Sequence, residues 1–153
     1  MSIAPLEPSD IDELVAFIVD YKRERNTDLT EAQALGLRPA AEQVIQSENS
    51  YAYKYAAEGK KLSGYMIVHI VGFPMIGGKE LYISELFIGA DERAKGIGRR
   101  FIEKAEEIAK MHNCNRIMLN NPKEYESYKR AFYSKLGFTE RVNFANFVKP
   151  VGR

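Results

Sequence analysis

Hydrophobic positions along this chain switch repeatedly between the period of a helix and the period of a strand, and the switches mark its elements. Residues 1–7 predict a short edge strand ended by Pro5 and Pro8. Ser9 followed by Asp12 resembles an acidic capping box, and it opens a helix with Ile11, Leu14, Val15 and Ile18 on one face. A second helical stretch runs from Thr30 towards Asn49, interrupted around Gly36 to Pro39. Tyr51, Tyr53 and Tyr55 then alternate with Ala52 and Lys54, as in a strand. After a turn at Glu58-Gly59-Lys60-Lys61, residues 62–71 and 81–88 predict two more strands, joined by a loop over residues 72–78. Ile97, Phe101, Ala105, Ile108 and Ala109 return to helical spacing and predict a helix over roughly 96–112. Residues 116–119 read as a short buried strand. Tyr125, Tyr128, Phe132 and Leu136 line one face of a helix over 124–136, stopped by Gly137. Residues 138–141 and 144–149 predict two short final strands. No repeat, low-complexity tract or linker interrupts this order, so residues 1–153 read as one α/β domain.

Composition narrows the function classes without choosing one. A formal net charge of +1 gives no global field for nucleic acid or an anionic membrane. A single cysteine, Cys114, excludes an intrachain disulfide framework and fits a reducing cytoplasm. The first residues show neither a basic n-region nor an apolar h-region, and no run is long enough to span a bilayer. A cytoplasmic protein is expected. His69 and His112 have no Cys or carboxylate at a metal-ligand spacing, so no metal is expected.

The chemistry concentrates in Glu92-Arg93-Ala94-Lys95-Gly96-Ile97-Gly98-Arg99-Arg100, between a predicted strand and a predicted helix. Two glycines let the backbone approach a ligand closely. The unpaired amides of the first helical turn and the helix dipole favour an anion there. Arg93, Lys95, Arg99 and Arg100 add charge, although Asp91 and Glu92 offset part of it. A diphosphate ligand fits this cradle. A dinucleotide fingerprint does not, because Phe101 stands where the third glycine belongs, and Gly78-Lys79 is followed by Glu80 rather than the Ser or Thr of a Walker loop.

With these elements in order, the chain resembles the GNAT (Gcn5-related) N-acetyltransferase superfamily. Two motifs carry the resemblance: the Arg/Gln-x-x-Gly-x-Gly/Ala turn at Arg93-Ala94-Lys95-Gly96-Ile97-Gly98, and the helix ending Phe132-Tyr133-Ser134-Lys135-Leu136-Gly137-Phe138. The resemblance implies a mixed, mostly antiparallel twisted sheet of about six to seven strands flanked by about four helices. It implies acetyl-CoA as acyl donor and a primary amine as acceptor. The pantetheine arm would pair with backbone at Leu86, Phe87 and Ile88, and the diphosphate would sit at Arg93, Ala94, Lys95, Gly96, Ile97, Gly98 and Arg99. Tyr133 holds the position of the acid that protonates the departing thiolate. Glu85 is the candidate base, with water as the other choice. On simple alternation Glu85 shares a strand face with Ile83 and Phe87, unless a bulge changes the register. Glu126 stands where many members carry an asparagine that helps hold CoA. By analogy with the family a homodimer forms through the late strands.

Each singled-out residue also has a plain structural reading. The alternative for Tyr133 is a mere core tyrosine, and for Glu85 a structural ion-pair partner or a simply exposed side chain. His69, on a strand face with Tyr65, Ile67 and Val71, is either a proton relay or a hydrogen-bonded core or edge histidine. His112 is explained by a helix C-terminus, Cys114 by burial, and the three alternating tyrosines by packing. The rival function is a non-catalytic CoA-binding sensor or regulatory module. The acceptor itself is not legible: the helices within residues 10–49 mix Lys22, Arg23 and Arg25 with Asp20, Glu24 and Asp28, and no acidic wall stands out.

Overall fold

Period-two segments pair into one sheet in the computed structural model, which describes residues 2–152. Its strands are β1 (Ile3–Pro5), β2 (Ser50–Tyr55), β3 (Gly64–Phe73), β4 (Gly78–Ile88) and β5 (Arg116–Leu119). The order across the sheet is β1-β2-β3-β4-β5, antiparallel except for the parallel β4–β5 pair. The helices are α1 (Ile11–Glu24), α2 (Glu31–Gln46), α3 (Ile97–Met111), α4 (Glu126–Lys129) and α5 (Phe132–Lys135). The chain divides into two compact units, one up to Asn120 and one from Asn121.

Within the first unit, helices cover both faces of the sheet. Tyr65 and Ile67 of β3 pack with Leu6, Ile11 and Leu14 and with Ala41 of α2. The opposite face carries Met66, Val68, Leu81 and Ile83, all buried. Beyond them α3 buries Ile97, Phe101, Ile102, Ala105, Ile108 and Ala109, one stripe at helical spacing. Tyr51 and Tyr53 of β2 reach that helix: the Tyr51 hydroxyl lies 2.5 Å from His112 Nε2, and Lys104 Nζ lies 5.6 Å from the Tyr53 ring. Packing therefore accounts for the alternating tyrosines.

Several local expectations are corrected. The capping box sits at Glu7 and Asp10, around a 3-10 turn at Pro8–Asp10, two residues before the Ser9–Asp12 reading. Asp10 is preferred because its second oxygen meets Lys54 Nζ at 2.5 Å while its first cap bond reaches the Glu7 amide at 2.8 Å. The second helix runs unbroken through Gly36 and Pro39, started by a Thr30–Gln33 capping box. β3 runs from Gly64 to Phe73 rather than over 62–71, and β4 begins at Gly78. The edge strand expected over residues 1–7 is confined to Ile3–Pro5, and Met1 lies outside the described residues.

The Asp10 pair makes a stability prediction. Burial raises the Asp10 carboxyl's pKa, but bonds to Lys54 and to the Glu7 amide outweigh this and leave it below its usual value. Stability from this pair is therefore present above the unfolded carboxylate range and is lost as pH falls through the lower folded value. Asp10→Ala should cost about 2–3 kcal/mol, less than a fully buried pair because the Lys54 side chain is 25% exposed. Urea denaturation at pH 7 checks the cost, and the gap to wild type should narrow in acid.

The second unit differs most from expectation. The helix expected over 124–136 is two short helices, because Ala131 adopts a left-handed φ of 55° between them. Spacing of apolar residues does not register such a one-residue break. Gly137 is left-handed at φ 90°, as a helix stop requires. No strand forms over 138–141 or 144–149, so the sheet has five strands, not six or seven. Alternation alone does not make a strand; a hydrogen-bonding partner does, and Phe144, Phe147 and Val148 stand exposed.

Candidate functional site

β4 positions the site through an irregularity in its pairing. Ile67 faces Glu85 while Val68 faces Ile83, so Ser84 is an extra residue in β4. This bulge splits the face expected from simple alternation. Glu85 and Phe87 stand with Tyr65 and Ile67 on the α1 side, whereas Ile83 stands with Val68 on the α3 side.

The bulge also ends the pairing with β5. β5 registers with β4 only from Glu80↔Arg116 to Ile83↔Leu119. A half-buried ion pair holds that end: Arg116 Nε meets the buried Glu80 at Oε2, 2.5 Å away. Past Ile83, the β5-side edge of β4 at Ser84, Glu85, Leu86, Phe87 and Ile88 has no strand partner among the described residues. Such an edge offers backbone hydrogen bonds to an extended ligand. Its far end is occupied, since Arg93 Nε donates to the Ile88 carbonyl at 2.9 Å.

Four residues beyond the strand comes the cradle. Ala94 and Gly96 take left-handed φ values of 61° and 79° on either side of Lys95. Alternating handedness of this kind curls successive amides into an anion-binding concavity. Gly96 is also the N-cap of α3 and supplies no side-chain cap. The first helical bond is from the Arg100 amide to the Gly96 carbonyl at 3.2 Å, which leaves the amides of Ile97, Gly98 and Arg99 without helical acceptors. A Cβ at Gly96 would meet nothing within 4 Å, so the space on that side of the turn is open.

The side chains contribute less than their sequence suggests. Lys95 Nζ lies 3.2 Å from the buried Glu92, and the Arg93 guanidinium lies 3.9 Å from Glu24 and 5.7 Å from the Tyr21 ring. Ile97 is buried and offers only its amide, while Arg99 is exposed. Leu86 and Ile88 are half-buried, and the Phe87 ring packs on Tyr21 and Tyr65.

Glu85 accepts a hydrogen bond from the Tyr65 hydroxyl at 3.3 Å. Burial pushes its carboxyl pKa up, against the opposing pull of that bond and of Lys22. Tyr65 is raised well above the ordinary tyrosine value, by burial and by the Glu85 charge.

Beside Glu85 the structure assembles residues that strand alternation did not connect. His69 Nδ1 lies 2.8 Å from Ser50 Oγ, and its Nε2 lies 2.8 Å from Ser84 Oγ. His69 is thus hydrogen-bonded on both nitrogens. Ser84 and Ser50 were not legible as partners because their approach depends on the bulge and on the β2–β3 register. Cys114 is half-buried and burial raises its thiol's pKa, which disfavours the thiolate.

A groove of about 420 Å³ lies between α1 and the turn after β4. Glu13, Asp20, Glu24, Asp91 and Glu92 line it with Lys60 and Lys61, so an acidic wall hidden in the sequence does exist. Its charge is partly answered: Lys60 reaches Asp91 and Glu92, and Lys61 reaches Glu13. A diphosphate would be repelled here.

In the second unit, the Tyr133 ring packs edge-on against Phe132 and Phe138, with centroids 4.9 and 5.7 Å away. Its carbonyl accepts from the amides of Leu136 and Phe138. Glu126, at the position of the family's asparagine, pairs with Lys129 at 3.3 Å. Asn121 accepts from Ser127 at 3.0 Å.

A match to the Acetyltransferase (GNAT) family runs over residues 12–138. The chain belongs to this family. Its members use acetyl-CoA as acyl donor to an amine. The GNAT match covers both the cradle and the Tyr133 motif. A protein of Oryza sativa subsp. japonica, described as probable glucosamine 6-phosphate N-acetyltransferase 2, is 34% identical over 65 residues. That stretch is 42% of this chain and 37% of the rice protein, so only about a third of the relative's length is matched. The fold is shared with a ribosomal-protein-alanine N-acetyltransferase from Brucella melitensis biovar Abortus 2308. TM-score is 0.72 at 20% identity, over 99% of this chain and 100% of that one. A transcriptional regulator from Bacillus halodurans C-125 superposes with a TM-score of 0.81 at 20% identity, over 97% and 99% of the two chains. Likenesses at this identity speak for the fold alone. No helix among the described residues is long and apolar enough to cross a membrane, and no metal-holding cluster of His, Cys, Asp or Glu occurs among them.

Proposed function

We propose that residues 1–153 act as one N-acetyltransferase domain that moves an acetyl group from acetyl-CoA to a primary amine. The observation that carries this reading is the stretch of β4 edge left unpaired between the Ser84 bulge and the amide concavity at residues 94–99. Ser84 to Ile88 spans four residue steps, about 13 Å along a strand. A pantetheine arm anchored by its diphosphate at the concavity would lie along that edge and bring its thioester to the bulge. Backbone at Leu86 and Phe87 would pair with the arm. The Ile88 carbonyl would first have to leave Arg93. Glu85 or a water serves as base for the attacking amine, and Tyr133 serves as acid for the departing thiolate. A cytoplasmic location and a homodimer belong to this same reading.

The acceptor is to be sought among amines of the kinds that the relatives' names suggest. A panel should include glucosamine 6-phosphate, a peptide with N-terminal alanine, a lysine peptide and a polyamine. Thiol release that depends on one of them establishes the transferase. A ligand that binds only the native state stabilises it by about 2.7 kcal/mol at a hundred times its Kd. CoA should therefore raise the melting temperature by roughly 5–10 °C for a chain of this size. A shift without turnover against any amine would favour the CoA-binding module, and no shift would refute both.

A further inference from the structure

We propose that Ser84, His69 and Ser50 form the route by which the acceptor amine loses its proton, with Ser84 as the group that meets the amine. This rests on the transferase reading and puts Ser84, in place of Glu85 or a water, as the group that takes the proton of the amine. Three observations support it. Ser84 is the bulged residue, at the point where β5 stops covering β4, and so adjoins the stretch of edge along which the donor would lie. Ser84 Oγ lies 2.8 Å from His69 Nε2. His69 Nδ1 in turn lies 2.8 Å from Ser50 Oγ, which fixes the ring and lets Nδ1 carry the proton while Nε2 accepts.

Glu85 is less free to serve, because its Oε1 already accepts the Tyr65 hydroxyl. The groups that face His69 are Ser50 from β2 and Tyr82 and Ser84 from β4; the Tyr82 ring centroid is 6.2 Å away. Burial lowers the pKa of the ring, which favours the neutral imidazole that can accept a proton.

The amine nitrogen bonds to the acetyl carbon while the carbon–sulfur bond breaks. Ser84 takes the proton that the nitrogen sheds and passes its own hydroxyl proton to His69 Nε2. The imidazolium, hydrogen-bonded to Ser50, releases a proton to solvent. The thiolate is protonated separately, by Tyr133 in the family reading. Before the step, the Ser84 hydroxyl also has the Ile67 carbonyl within 3.4 Å as an alternative acceptor.

The test compares His69→Gln, Ser84→Ala and Glu85→Gln with wild type, using the best amine of the panel. His69→Gln and Ser84→Ala should each lower kcat/KM about a hundredfold. Both should also abolish the acidic loss of activity expected of wild type, which falls on the acid side of the ordinary imidazole range because burial lowers the His69 pKa. The CoA thermal shift of both variants should stay as in wild type, which reports that fold and donor site survive. Glu85→Gln should retain the acidic limb. The route is overturned if His69→Gln keeps the wild-type rate and limb, or if Glu85→Gln alone removes that limb. Wild type that releases no thiol with any amine would sink the transferase reading itself, a distinct result.

Discussion

Tyr133→Phe is expected to lower kcat by on the order of 10²- to 10³-fold while leaving CoA affinity unchanged. The substitution removes one oxygen and keeps the ring, so the edge-on contacts with Phe132 and Phe138 persist. The hydrogen bonds that close α5 run through the Tyr133 carbonyl and do not involve its hydroxyl. Stability should therefore move by less than about 1 kcal/mol, the net worth of an ordinary hydrogen bond. A thiolate that departs without a proton donor raises the barrier to breaking the carbon–sulfur bond. That cost falls on the chemical step and not on binding, so kcat and kcat/KM should fall together. Steady-state kinetics with a thiol reagent reads both. An unaltered kcat would mean that solvent protonates the thiolate, and it would remove Tyr133 from the mechanism without touching the donor site.

What the sequence disclosed follows from which interactions are local. The cradle was legible because its parts are contiguous: Gly96 at a left-handed φ, the amides of the first α3 turn and the apolar stripe behind them all lie within one window. The strands β2 to β4 were legible because alternating burial leaves its mark on each separately. The bulge was not, since an extra residue at Ser84 is defined only by its partners Ile67 and Val68 across the ladder. The Ser50–His69–Ser84 chain was missed for the same reason; its members lie on three strands and meet only once the register is known. The acidic groove escaped notice because Glu13, Asp20 and Glu24 recur on one face of α1 while their basic neighbours Lys22 and Arg23 lie between them in sequence. Sequence charge balance averages over faces that the helix separates. In the second unit, apolar alternation over residues 144–149 suggested a strand, yet a strand is a relation between two segments, and here that relation is lacking.

Gly96→Asp should abolish CoA binding while leaving the fold intact, and it isolates the part of the site that is made of backbone. Aspartate tolerates the left-handed region better than most residues, so the φ of 79° costs it at most about 1–2 kcal/mol. A Cβ there meets nothing within 4 Å, which removes steric collision as a cause of failure. The new carboxylate would sit beside the unpaired amides of Ile97, Gly98 and Arg99, where the α3 dipole favours negative charge. It would satisfy donors that a diphosphate needs and would repel the diphosphate as well. Each hydrogen bond to a charged group contributes about 1.5–3 kcal/mol, so loss of even one lowers affinity by roughly tenfold to a hundredfold. Loss of several would carry CoA binding beyond detection by thermal shift. The companion variant Arg99→Glu reverses a side-chain charge on the exposed start of α3 but leaves every amide in place. If the backbone holds the diphosphate, Arg99→Glu should weaken binding modestly, with a penalty that fades at high salt, whereas the Gly96→Asp defect should persist there. Equal, salt-sensitive losses in both variants would instead assign the anion to the side-chain charges.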